Sequence, residues 1–118
     1  MIPILRIDDF WITSIQDTLH DQTVVWFKED LLKKICQPDS KGLIIDLTAI
    51  EIVDSFVTKA LIDIGNLSKL MGIPVIITGI SPAIAITLVE MGLELQGIET
   101  ALNLQKGLEK LRNITGER

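Results

Sequence analysis

Cysteine and histidine are nearly missing from this chain. Cys36 is the sole cysteine and His20 the sole histidine among 118 residues. One thiol permits no intrachain disulfide and no cysteine-built metal cluster. One imidazole, just ahead of a helix start, reads as a solvated or capping group rather than a general base. The eight glycines never form the runs that cradle nucleotide phosphates. Positive charge is also short. Eleven basic residues stand against 16 acidic ones, giving a net charge of −5 and a pI of about 4.7. That balance excludes an electrostatic grip on nucleic acid or an anionic membrane. No apolar run nears the roughly 20 residues that a membrane-spanning helix requires, and residues 1–7 lack the length and basic flank of a signal peptide. A reduced, cytoplasmic protein is expected, with no cofactor, no metal, and neither nucleic acid nor membrane as partner.

Aliphatic side chains are what the chain has in plenty. The apolar fraction is 47% and the mean hydropathy +0.41. A chain of this length makes one domain and buries about two thirds of its unfolded surface. The surplus fits a sheet covered on both faces, an apolar surface held for a partner, or both.

Residues 2–7 and 10–15, around an Asp8-Asp9 turn, read as two short strands toward one side of a sheet. A first helix, capped by Asp21 or Thr23, extends to about Cys36 and buries Val24, Phe27, Leu31 and Ile35 at helical spacing. Cys36, among apolar neighbours, reads as a buried, inert thiol. A polar break over 37–42 precedes the stretch that organises the chain, residues 42–71. Its first part, Gly42-Leu43-Ile44-Ile45-Asp46-Leu47-Thr48, has the character of a buried parallel strand. Its helix opens at Ser55, turns Phe56, Ala60, Ile64, Leu67 and Met71 inward, and stops at Gly72. Residues 73–78 give another buried strand. Ser81 caps a third helix with Pro82 as its first residue, Ile84, Leu88 and Met91 inward, and Gly92 at its end. Residues 95–102 hold a weaker strand, and Asn103 caps a last helix that buries Leu104, Leu108 and Leu111. The order ββαβαβαβα demands parallel pairing with one antiparallel hairpin, in a single α/β domain over residues 1–118.

In open parallel sheets the loops after strand C-ends carry the sites. Two such loops, 48–55 and 79–82, bring a serine to a helix N-terminus, where unpaired N–H groups and the helix dipole favour an anion. Ser55 reads two ways at this point. As an N-cap it contributes about 0.5–2 kcal/mol. As a phosphoacceptor it gains about −1.5 to −2 charges, tolerated by the dipole but repelled by Asp54 and by Glu51 and Asp46 if close. Ser81 reads first as a cap, and Asp46 with Asp54 is a weak pattern for Mg²⁺. Without a base–nucleophile pair, catalysis has little to work with. At about 100° per residue, Trp26, Ile62 and Ile86 fall on the outward sides of successive helices, Ile62 beside Thr58 and Lys69. They mark an assembly interface.

These patterns resemble the STAS domain family. The likeness is carried by the element order, by Leu43-Ile44-Ile45-Asp46-Leu47-Thr48, by Asp54-Ser55 opening a helix, and by Val75-Ile76-Ile77-Thr78-Gly79. Within the family the chain is most similar to the RsbS-type stressosome scaffolds. The residues concerned are Ile4-Leu5-Arg6-Ile7, Asp21-Gln22-Thr23, Val53-Asp54-Ser55-Phe56-Val57, Ser68-Lys69-Leu70-Met71-Gly72 and the run from Gly79 to Leu88. The resemblance implies a non-enzymatic regulator of a stress-signalling pathway. It would self-associate, co-assemble with sensor-bearing RsbR-type paralogues, and sequester an RsbT-type serine kinase. Phosphorylation on Ser55 would release that kinase, and a phosphatase is a further implied partner. Asp46, Glu51, Asp54, Phe56, Thr58 and Ser81 are the implied kinase- and partner-binding residues. Simple anti-sigma-factor antagonists carry a small residue after the phosphoserine, where this chain has Phe56, so the resemblance favours the stressosome branch. The alternatives are such an antagonist, or a nucleotide- or anion-binding module at the Ser55 and Ser81 helix mouths.

Overall fold

The computed structural model describes residues 2–16, 21–92 and 98–116. The expectations for His20, for the Asp21 side chain and for residues 95–97 lie outside the described residues. The elements are β1 (Ile4–Ile7), β2 (Phe10–Ser14), α1 (Asp21–Ile35), β3 (Gly42–Asp46), α2 (Ser55–Met71), β4 (Val75–Thr78), α3 (Pro82–Glu90), β5 (Ile98–Ala101) and α4 (Leu104–Thr115). The order is the expected ββαβαβαβα. One five-stranded sheet runs β1-β2-β3-β4-β5. Its β1–β2 pair is antiparallel and the other three pairs are parallel, which puts the hairpin at one side as expected.

Strand alternation sorts the apolar side chains onto two faces. Leu43, Ile45, Leu47, Val75, Ile77 and Ile98 pack with residues of α1, α2 and α3 into the larger core. Phe10, Ile12, Ile44 and Ile76 pack with Leu111 of α4 into the smaller one. The sheet is therefore sandwiched, and β3 and β4 need apolar residues on both faces. Each fully buried isoleucine at 44, 45, 76 and 77 contributes about 1.5–3 kcal/mol of transfer free energy. Gly107 lets α4 approach closely, since a Cβ there would come 2.8 Å from Thr78 Cγ2.

The α1 stripe of Val24, Phe27, Leu31 and Ile35 is buried as expected. Thr23 lies inside α1, not at its cap. Cys36 lies one residue beyond α1 and is exposed, because the chain there is already turning toward Ser40. On α2 the buried set is Val57, Thr58, Ala60, Leu61, Ile64, Gly65 and Ser68. Phe56 sits about 100° round from Val57 and is exposed, and Met71, in the last turn, is exposed where the chain leaves for β4. Leu67 is half-buried. In α3, Ile84 and Leu88 are buried, whereas Met91 caps the C-terminus and is exposed. In α4, Leu111 is buried and Leu108 half-buried. Leu104, at the first position after the Asn103 cap, stays exposed at the helix mouth. No helix among the described residues is long and apolar enough to cross a membrane.

Candidate functional site

The site grows from the end of β3. Residue 46 is the last of the strand and pairs with Thr78 of β4, so both side chains turn to the α4 face with Ile44. There the Thr78 hydroxyl donates to Asp46 Oδ1 at 2.7 Å and the Thr48 hydroxyl donates to the same oxygen at 2.9 Å. The Thr48 backbone N–H adds a longer bond to Oδ2 at 3.3 Å. Gly79, with φ of 71°, passes beside this cluster. A Cβ at that position would reach within 2.9 Å of Asp46 Oδ1, so both conformation and space call for glycine. Asp46 fastens the two strand ends together.

The connection from β3 to α2 is pinned by its apolar members. Ile50 and Val53 are buried, while Glu51, Ile52 and Asp54 point to solvent. The Ile50 N–H closes a turn on the Leu47 carbonyl at 3.1 Å. Asp54 then takes extended backbone angles, and its Oδ1 accepts the Val57 N–H at 2.9 Å. The helix cap is thus Asp54, not Ser55. Either residue type caps well, but a carboxylate also meets the positive end of the helix dipole with a full charge.

That correction changes what Ser55 can do. It is the first residue of α2 and exposed. Among the described residues its hydroxyl makes no hydrogen bond. It stands in solvent as an unengaged nucleophilic oxygen, beside a carboxylate that already serves the helix.

Thr58, expected on the outward side, is 2% exposed. Its hydroxyl donates to the Asp54 carbonyl at 2.9 Å and lies 3.2 Å from the Met91 sulfur. Met91 draws α3 onto the first turn of α2, so Thr58 positions that turn instead of presenting a side chain. Ser81 caps α3 as expected, its Oγ accepting the Ile84 N–H at 3.2 Å, and it is exposed.

Phe56 is 40% exposed and lines a groove of about 80 Å³ between α1 and α2 with Val25, Lys28, Lys59 and Asp63. Lys28 pairs with Asp63 across it at 3.3 Å. Trp26 is 63% exposed and borders a larger groove of about 530 Å³ with Ile2, Thr23, Phe27 and Asp30. Ile86 is exposed on α3. Ile62 is half-buried, because its direction falls between the buried Thr58 and Gly65 side of α2 and the solvent side.

The structure therefore gathers Asp54, Ser55, Phe56 and Thr58 on one helix turn, with Glu51 in the loop leading to it. It engages Asp46 with two threonines on the α4 face of the sheet. The threonine partners of Asp46 and the sulfur partner of Thr58 were not read from the sequence. Setting the β3 and β4 strand ends side by side signals the first, because Asp46 and Thr78 then fall opposite one another. Nothing local signals the second.

Residues 1–107 match the STAS domain family. Among solved structures the chain is similar to a serine-to-glutamate variant of RsbS from Moorella thermoacetica. Identity there is 57%, coverage 96% of each chain and TM-score 0.89. It is also similar to a chain from a structure of the molecular architecture of the stressosome, with 59% identity, coverage of 95% and 97%, and TM-score 0.84. Among curated proteins it is 27% identical over 115 residues to the RsbT co-antagonist protein RsbRA of Bacillus subtilis strain 168. The match takes in 98% of this chain but only 41% of that relative's length. In sequence and in three dimensions, this chain belongs to the STAS domain family and is RsbS-like within it.

Proposed function

We propose that the protein is a non-enzymatic stressosome scaffold that holds an RsbT-type serine kinase and releases it once Ser55 is phosphorylated. One observation carries the reading. Ser55 is exposed at the first position of α2 with its hydroxyl unengaged, because Asp54 has taken the cap. A phosphate there gains from the free N–H groups and dipole of the helix start. It also sets about two negative charges beside Asp54 and Glu51, on the surface a kinase would touch. The fold tolerates the change and a docked partner does not. Support also comes from the likeness to RsbS over nearly the whole chain.

Glu51, Asp54, Phe56 and Ser81 are the exposed members of the proposed kinase-facing surface. Thr58 and Asp46 act behind it, by fixing the helix turn and the strand ends. Trp26 and Ile86, with half-buried Ile62 between turns of α2, are proposed to face RsbR-type paralogues or further copies in a cytoplasmic assembly. A phosphatase would reset the serine.

The test is phosphate transfer from the cognate kinase and ATP, followed by mapping of the modified residue. Wild-type protein is expected to be labelled on Ser55, and Ser55→Ala to fold and assemble without label. Full labelling of Ser55→Ala would overturn the assignment.

A further inference from the structure

Lys59 follows Ser55 by one helical turn. Both are exposed, and at about 100° per residue their directions on α2 differ by only about 40°. Residues so spaced are surface neighbours, and an anion four residues before a cation is the favourable orientation for an ion pair. Other charges around the turn are already engaged or of the wrong sign. Lys28 reaches across from α1 to Asp63 at 3.3 Å. Asp54 caps the helix, and Glu51 is an exposed acid in the preceding loop. Lys59 has no ion pair among the described residues, and it borders the groove that Phe56, Val25 and Ala60 line.

We propose that Lys59 is the intramolecular counter-ion of phosphorylated Ser55. Phosphorylation then does two things at once. It closes an ion pair along the first two turns of α2, and it withdraws a free cation from the rim of the Phe56 groove. A partner that uses both the hydroxyl surface and that cation loses both contacts in one event. The inference rests on Ser55 being the phosphoacceptor.

Phosphoserine placed at position 55 during translation tests Lys59 without any kinase. The readout is a phosphorus NMR titration at low salt, on the wild-type background and on Lys59→Gln and Lys59→Arg. The second phosphate pKa, ordinarily about 6, is expected to lie about half a pH unit or more lower with Lys59 than with Lys59→Gln. Lys59→Arg should restore the low value, and added salt should shrink the difference. Superimposable titrations for wild type and Lys59→Gln, both folded by circular dichroism, would overturn the proposal. Kinase labelling at a residue other than Ser55 would instead remove the parent reading, so the two failures are distinct.

Discussion

The Asp54 carboxylate accepts the Val57 backbone N–H at 2.9 Å. The residue between the strand-end loop and the helix therefore does the capping, and Ser55 next to it is spared. The cap and the proposed phosphoacceptor are adjacent residues, Asp54 and Ser55. With Asp54 as the cap, the bond to the Val57 N–H does not depend on the Ser55 hydroxyl.

This division gives a stability contrast. Asp54→Ala is expected to cost about 1 kcal/mol, within the usual range for loss of a side-chain cap. Ser55→Ala is expected to stay within about 0.5 kcal/mol of wild type, as an exposed substitution that breaks no bond. Denaturant midpoints at constant slope measure both. A larger loss at Ser55 than at Asp54 would return the cap to the serine.

Ser68 offers the opposite case. It is fully buried on α2, and its Oγ has no hydrogen-bond partner among the described residues. A buried hydroxyl without a partner costs about 1–3 kcal/mol. Ser68→Ala is expected to be neutral or more stable by up to about 1 kcal/mol, read as a rise in thermal midpoint.

The hairpin is tied to the α1–β3 turn by Arg6, which donates to Asp39 Oδ2 at 2.8 Å. The Arg6 guanidinium holds the Asp39 carboxyl below its ordinary range, against a smaller opposing push from burial. A lowered folded-state pKa gives stability that is present above the ordinary aspartate range. It is lost as pH falls through the lowered value. Arg6→Gln is expected to move the Asp39 titration, followed by carboxyl NMR, up toward the ordinary range, and to flatten the acid limb of the stability profile.

Trp26 stands 63% exposed on α1, outside both cores. Trp26→Ala is expected to leave the thermal midpoint nearly unchanged while lowering particle mass by light scattering when RsbR-type partners are present. Unchanged mass would exclude Trp26 from the assembly surface.

The element order and the α1 stripe were legible because helix and strand periods impose themselves on any apolar pattern. The side-chain detail was not. Phe56 and Met71 have the right spacing for a core face, but α2 meets the sheet about 100° away from Phe56 and has nearly run out at Met71. Cys36 has apolar neighbours in sequence, but α1 ends before it and leaves it exposed. Asp54 and Ser55 are both capping residues, and one step of backbone geometry decides between them. Thr58 has the spacing of an outward residue, and its partner, Met91, lies 33 positions later on another element.

The central claim is that phosphorylation of Ser55 releases a bound kinase. Its most direct test compares the affinity of an RsbT-type kinase for the assembled scaffold in two forms, one unmodified and one with phosphoserine at 55. The expected result is binding weakened at least about tenfold by the phosphate, a difference of about 1.4 kcal/mol. Equal affinity for the two forms would contradict it.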